Sequence, residues 1–178
     1  MPVQPYKLLY LITPLLFLVF AACNTSSVLG EKERPERLGK PIDNTPVVFD
    51  ANTSFERLNQ VRSRHALRPF RSDPRLMAAA RNHADLMGTT GRFGHEFGPD
   101  TVFRKRIFAV GFRNSAGENI GVGYRSIDEA IEGWLNSPGH RKILLKGNYS
   151  LGGIAYAKNT SGKNPRLNHF WVLIVGQE

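Results

Sequence analysis

The chain has 178 residues, and its 24 lysines and arginines outnumber its 15 aspartates and glutamates, which gives a formal net charge of +9. It contains a single cysteine, so an internal disulfide framework is excluded. The basic residues are scattered along the sequence instead of forming a clustered patch, which disfavours a nucleic-acid-binding protein.

The N-terminus has the pattern of an export signal. Lys7 precedes a short apolar run, LLYLITPLLFLVFAAC, that contains Pro14 and ends in small residues at Cys23. The final letters, FAAC, resemble the lipobox of bacterial lipoproteins, in which cleavage before the cysteine frees a thiol for diacylglyceryl attachment. We therefore predict a signal peptide over residues 1–22 and a lipid anchor on Cys23. The alternative is an ordinary secretory signal followed by an incidental cysteine.

The segment after the cysteine has the composition of a tether. Residues 23–50 are polar, charged and proline-bearing, with few large apolar side chains that could form a core. Residues 51–178 are long enough for one compact domain. We predict an exported, cell-envelope lipoprotein that faces the periplasm or the exterior. Its membrane contact is the lipid anchor, and its positive charge favours anionic envelope polymers or lipids as partners.

The first part of the domain has the periodicity and the start signals of helices. Thr53 and Glu56 form a capping box at the start of the first helix, and Asp73 followed by Pro74 marks the start of the second. A third, shorter helix is predicted within PDTVFRKRIFAVG. A second capping box at Ser126 opens a fourth helix, and the short helical turn SPGHRKILL follows it.

The C-terminal part changes to the composition of strands. LGGIAYA and HFWVLIVG are rich in β-branched and aromatic residues, and NIGVGY is a candidate for a further strand. The nearly continuous apolar run of HFWVLIVG predicts a strand that is buried on both faces. Helices followed by strands predict an α+β domain, with helices packed on an antiparallel sheet.

Several motifs occur in one order along the domain: LNQVRSRHALRPF, LMAAARNHADLM, FGHEF, AGENIGVG, AIEGWLNSPGHRKILL and HFWVLIVG. This ordered set runs from about Phe55 to Gly176. It resembles the CAP superfamily of cysteine-rich secretory proteins, antigen 5 and plant pathogenesis-related 1 proteins, and it is most similar to the bacterial SCP-domain branch. The resemblance implies a three-layer α-β-α sandwich with a central antiparallel sheet, around a cleft lined by two histidines and two glutamates.

Three of those four cleft residues have a match in this sequence. The resemblance assigns the histidines to His95 in GHEF and His140 in SPGHRKILL, and one glutamate to Glu118 in GENIG. The second glutamate position falls on Ser137, so any chemistry that needs two carboxylates loses one of them. Asn119 and Ser137 are then expected to support the cleft, and the Asn119 amide is expected to pin a turn.

The triad allows several kinds of chemistry. Two neutral imidazoles, from His95 and His140, can hold a divalent metal such as zinc, with water completing the shell. Glu118 can ligate that metal, orient one histidine, or keep it protonated. Alternatively, the three residues form a buried polar network that fixes the floor of the cleft.

The other histidines carry weaker signals. His83 lies on the apolar stripe of its predicted helix, which is typical of a buried core histidine. His65 ends the first helix, where a cationic side chain is favourable. His169 starts the last strand, from which it could reach the edge of the cleft.

These observations leave three functions open. The first is a membrane-tethered binding module whose cleft holds a lipid, a glycan or a peptide, or a divalent metal. The second is a metal-dependent hydrolase or protease that acts on envelope material, with His95, Glu118 and His140 as catalytic residues. The third is a structural envelope protein without activity.

Overall fold

A computed structural model describes residues 46–178. The predicted signal peptide, the lipidation site and most of the predicted tether lie outside the described residues. The described part of the chain forms helices α1 (Ala51–Arg64), α2 (Pro74–Thr90), α3 (Phe103–Ala109), α4 (Ile127–Leu135) and α5 (Pro138–Leu144), and strands β1 (Arg71–Ser72), β2 (Ala116–Val122), β3 (Leu151–Lys158) and β4 (His169–Gly176).

The four strands form one sheet in the order β1-β3-β4-β2. Strand β4 runs antiparallel to both of its neighbours, whereas the two-residue β1 pairs in parallel with β3. Helices cover both faces of the sheet, which confirms the predicted α+β sandwich. The short parallel pair was not predicted, because two residues are too few to carry a strand pattern.

Strand β4 divides the interior into two hydrophobic cores. Its side chains alternate between the faces of the sheet, and all eight residues are buried, as the apolar run predicts. One core lies between the sheet and helices α2 and α3, and it includes Phe170, Val172 and Ile174. The other lies between the sheet and helices α1, α4 and α5, and it includes Trp171, Leu173 and Val175.

Side-chain caps set where the helices begin. The predicted caps of α2 and α4 are confirmed, because Asp73 and Ser126 accept hydrogen bonds from backbone N–H groups of the first turns. The prediction for α1 was wrong. Asp50 Oδ1 accepts from the backbone N–H of Thr53 at 2.7 Å, so the helix begins before the expected capping box.

The end of the predicted tether contacts the domain. The Phe49 ring centroid lies 6.2 Å from that of Tyr156 and 5.9 Å from that of Trp171, and Val47 also packs against this core. Aromatic pairs at such distances stabilise beyond the area that they bury. Within residues 46–178, no helix has both the length and the apolar character that crossing a membrane requires.

Helix α2 packs closely on β3 through Gly153. A Cβ atom at Gly153 would overlap the backbone carbonyl group of Leu76. Because that neighbour is helix backbone, it cannot rotate out of the way. A residue without a side chain is therefore required where the helix crosses the strand.

We predict that Gly153→Ala lowers the free energy of unfolding by about 3 kcal/mol, because the added methyl group forces α2 away from the sheet. Urea denaturation measures this change. The matched control is Gly139→Ala in α5, where a Cβ meets nothing within 4 Å. This control should change stability by less than about 1 kcal/mol, in the stabilising direction. Equal losses in both variants would contradict the prediction.

Candidate functional site

Strand β2 carries two polar residues that point to opposite faces of the sheet. Glu118 faces the layer of α2 and α3, and Asn119 faces the layer of α4 and α5, since successive side chains of a strand alternate. Both residues are buried. The predicted turn at Asn119 was wrong, because the whole segment from Ala116 to Val122 is strand.

The Glu118 carboxylate meets three donors inside the protein. Arg106 donates from Nη1 to Oε2 and from Nη2 to Oε1, both at 2.9 Å, in a bidentate ion pair. His95 Nδ1 lies 2.9 Å from the same Oε1. The Glu118 side chain is only 3% exposed, so these charge-assisted bonds replace its hydration.

Arg106 joins three segments of the chain at this point. Besides the carboxylate of β2, its Nη2 donates to the backbone carbonyl of His95 at 3.0 Å, and its Nε donates to that of Thr101 at 2.9 Å. Arg106 itself lies in α3. The loop that carries His95 is therefore held by the same guanidinium that holds Glu118.

Sequence reasoning missed Arg106. A signal was present, because Arg106 follows Phe103 by three residues and precedes Ile107, so it lies on the inward face of its helix. Charged residues are rarely buried unless they are paired. An arginine on an apolar stripe thus indicates a buried partner, although the sequence does not say which carboxylate it is.

His83, in α2, contacts the loop that carries His95. It is fully buried, as predicted, and its ring stacks on that of Phe97 with centroids 5.8 Å apart. Its Nε2 lies 3.0 Å from the Gly94 carbonyl oxygen and 3.9 Å from Glu118 Oε1. The carbonyl only accepts, so Nε2 carries the proton. His83 therefore anchors the backbone next to His95, a contact that its helical position alone did not indicate.

His140 comes from the opposite layer. It lies in the first turn of α5, and its backbone carbonyl accepts a hydrogen bond from Asn119 Nδ2 at 2.9 Å. Ser137 directly precedes this helix, but its side chain makes no capping hydrogen bond. Asn119 thus supports α5 from the strand, and this contact replaces the predicted role in a turn.

Electrostatics set the protonation states at the site. Burial alone raises the pKa of Glu118, but hydrogen bonds from His95 and Arg106, together with the charge of Arg106, outweigh it and hold the pKa below its ordinary value. Burial lowers the pKa of His83, and burial followed by the charge of His95 lowers the pKa of His140.

The remaining two histidines are not brought to this site. His169 starts β4, whereas Glu118 pairs with Ile174, five residues or about 17 Å further along that strand. The His169 ring instead meets the Tyr156 hydroxyl, with Nδ1 and Oη 2.7 Å apart. His65 is exposed at the C-terminal end of α1.

The donor set tests the metal prediction. Among residues 46–178, no three histidine, cysteine, aspartate or glutamate side chains are placed to hold a metal ion together. Glu118 does not fit as a ligand, because both of its oxygens accept from a guanidinium whose positive charge opposes a cation. A metal on His95 and His140 stays a prediction that rests on two imidazoles.

The comparisons with known proteins agree with this fold. The family model described as "Cysteine-rich secretory protein family" (CAP) matches residues 55–175, and the chain belongs to this family. Among relatives, YkwD of Bacillus subtilis (strain 168) is 31% identical over 109 residues, which cover 60% of this chain and 42% of YkwD. The membrane protein YlbC of the same organism is 35% identical over 98 residues, which cover 54% of this chain and 28% of YlbC. The chain thus matches less than half the length of each relative.

Solved structures show the same architecture. An extracellular protein containing an SCP domain from Bacillus anthracis (strain Ames) has 26% identity and a TM-score of 0.62, over 72% of this chain and 40% of that one. An outer surface protein from Borrelia burgdorferi has 21% identity and a TM-score of 0.61, over 71% of this chain and 91% of the Borrelia protein. At that identity, the second similarity shows the fold alone.

We predict that the domain loses stability in two stages as the pH falls. Folding lowers the pKa of His83 and His140 from the ordinary value of 6.5, so the unfolded chain binds more protons below that pH, and stability decreases. The stabilisation from ionised Glu118 is present above its ordinary value of 4.5, and it is lost as the pH falls through the lowered pKa of the folded state.

Urea denaturation between pH 8 and pH 3.5 measures both stages. His83→Gln keeps a donor for the Gly94 carbonyl and removes one titrating group, so it should flatten the upper stage while the lower stage remains. Stability that stays constant between pH 7 and pH 5 in the unmodified protein would contradict the assignment.

Proposed function

We propose that this protein is a membrane-tethered, extracytoplasmic binding module, whose cleft holds a lipid, glycan or peptide ligand between His95 and His140. One observation carries the proposal: both Glu118 oxygens accept hydrogen bonds from Arg106, and Oε1 also contacts His95 Nδ1, inside the protein. The carboxylate therefore acts mainly to orient His95, and a ligand meets the imidazoles.

The state of Glu118 favours binding over hydrolysis. A general base needs a lone pair within reach of the attacking water and a pKa near the working pH. Three of the roughly four acceptor positions of Glu118 are engaged, and its pKa is held below the ordinary value, which makes it a weak proton acceptor. By the family resemblance, the position of the second carboxylate falls on Ser137. A hydrolase built on this triad would have only a weak base.

The imidazoles are placed as binding groups. The His95 side chain is 48% exposed, although its Nδ1 is held by Glu118 and its backbone by Arg106. His140 is half-buried, and its backbone is held by Asn119. Because the His95 ring is held by Glu118, it has little side-chain entropy left to lose when a ligand binds.

The tethered location rests on the N-terminus and on the relatives. The printed name of YlbC describes a membrane protein, and the Bacillus anthracis protein is described as extracellular. An export signal that ends at Cys23 supplies the corresponding anchor in this chain. A lipid-anchored module would display its cleft to envelope components and would concentrate there.

We expect the native mature protein to retain a ligand in its cleft. Native mass spectrometry detects such a ligand directly, or after mixing with three pools of probes: phospholipids and fatty acids, cell-wall glycan fragments, and short peptides. His95→Ala/His140→Ala should weaken binding by about 100-fold, as expected when two positioned hydrogen bonds are lost. The exposed His65→Ala is the matched control and should bind normally.

The same preparation discriminates the alternatives. If no probe binds and the double variant equals the control, the binding module is wrong. Stoichiometric zinc in the unmodified protein, lost in the double variant, would instead support the metal prediction. Hydrolysis of a glycan or peptide probe that depends on Glu118 would support the hydrolase.

We also expect Cys23→Ser to remove the membrane anchor. Without the thiol, no diacylglyceryl group is added, so the acyl mass and the detergent-dependent solubility of the exported protein should both disappear. Mass spectrometry of the membrane fraction measures the first, and detergent partitioning measures the second. Ser27→Ala, four residues further on, is the matched control and should remain lipidated. An acylated Cys23→Ser protein would show that the anchor lies elsewhere.

A further inference from the structure

The buried charge of Glu118 is neutralised by another residue of the same chain, Arg106. A carboxylate that is 3% exposed must find a counter-charge, since an unpaired buried ion costs several kcal/mol. A bound cation is one solution, and an arginine is the other. Here the guanidinium takes both oxygens at 2.9 Å, so the position that a cation would use is already occupied.

The pair also decides which nitrogen of His95 faces the cleft. An ionised carboxylate only accepts, so His95 Nδ1 must donate its proton to Glu118 Oε1. A neutral His95 therefore carries its lone pair on Nε2. The ring is half-exposed, and it presents to the cleft a hydrogen-bond acceptor whose orientation the protein has fixed.

Arg106 fixes the other end of the same residue. Its Nη2 holds the His95 carbonyl while it also contacts Glu118 Oε1. His83 holds the neighbouring Gly94 carbonyl from below. The His95 backbone and ring are thus both tied to one guanidinium, either directly or through the carboxylate.

We propose that Arg106 is the positioning and specificity-determining residue of the cleft: as the permanent counterion of Glu118, it keeps that carboxylate an orienting group instead of a metal ligand, so that His95 Nε2 is a fixed acceptor for ligands that carry hydroxyl or N–H donors. This inference rests on the proposed binding function and narrows its ligand class. Glycan hydroxyls and peptide amides match such acceptors, whereas an acyl chain offers them no donor.

The first test reads the tautomer of His95 by long-range ¹⁵N–¹H NMR at pH 8.5, well above the ordinary imidazole pKa. The unmodified protein should show a proton on Nδ1 and none on Nε2. In Arg106→Gln the carboxylate still only accepts, but it and the His95 carbonyl both lose the guanidinium, so the Nδ1 proton should exchange with solvent at least tenfold faster. Arg106→Lys keeps the charge without the bidentate fork, and it should slow this exchange in part.

Loss of Arg106 alone leaves Glu118 without its counterion, so folding is checked by the amide spectrum. Arg106→Gln/Glu118→Gln removes both charges together, and it replaces the single variant in the NMR test if the single variant is unfolded. The side-chain amide that Glu118→Gln introduces can donate or accept, so mixed tautomers are expected in this double variant. An Nδ1 proton that exchanges no faster in folded Arg106→Gln, or a pure Nδ1–H tautomer in the double variant, would overturn the proposal, because it would show that the ion pair is dispensable for orienting His95.

The second test uses Co²⁺, whose absorption spectrum reports coordination. The unmodified protein should bind Co²⁺ no more tightly than Glu118→Gln does. Arg106→Gln frees the carboxylate, and it should bind at least tenfold more tightly than Arg106→Gln/Glu118→Gln. Tight binding by the unmodified protein that is lost in Glu118→Gln would overturn the proposal. Neither test needs the natural ligand. A failure of the proposal about Arg106 can therefore be distinguished from a failure of the proposed binding function.

Discussion

The structure around the cleft depends on the ion pair between Glu118 and Arg106. A carboxylate in the middle of a strand and almost fully buried is tolerated only because a guanidinium meets it with two parallel hydrogen bonds. This ion pair holds α3 against β2, and further hydrogen bonds from Arg106 hold the loop between α2 and α3. His95 is placed as a consequence of this pairing.

Strand alternation explains how two consecutive residues of β2 contact both layers of helices. Glu118 and its neighbour Asn119 are consecutive in β2, so they reach opposite faces of the sheet. One orients His95 from the α2–α3 side, and the other holds the backbone of His140 on the α5 side. Two consecutive polar residues of β2 therefore connect the sheet to both layers of helices.

The parts of the site that could be predicted from the sequence are those that lie in recognisable motifs. His95, Glu118 and His140 were identified through a family resemblance, and the structure brings His95 and Glu118 into hydrogen-bond contact. The burial of His83 was also predictable, since its place on an apolar helical stripe indicates an inward direction. Its contact with Gly94 was not, because that contact depends on how a loop folds back over the helix.

The sequence by itself determined the helical starts at Asp73 and Ser126, the doubly buried strand β4 and the α+β class, because caps and hydrophobic periodicity act over a few residues. Only the tertiary structure decided that Glu118 has a counterion and that this counterion is Arg106. The two residues lie on different elements, and the pairing exists only when α3 packs against β2. The bidentate contact that engages both carboxylate oxygens follows from that packing.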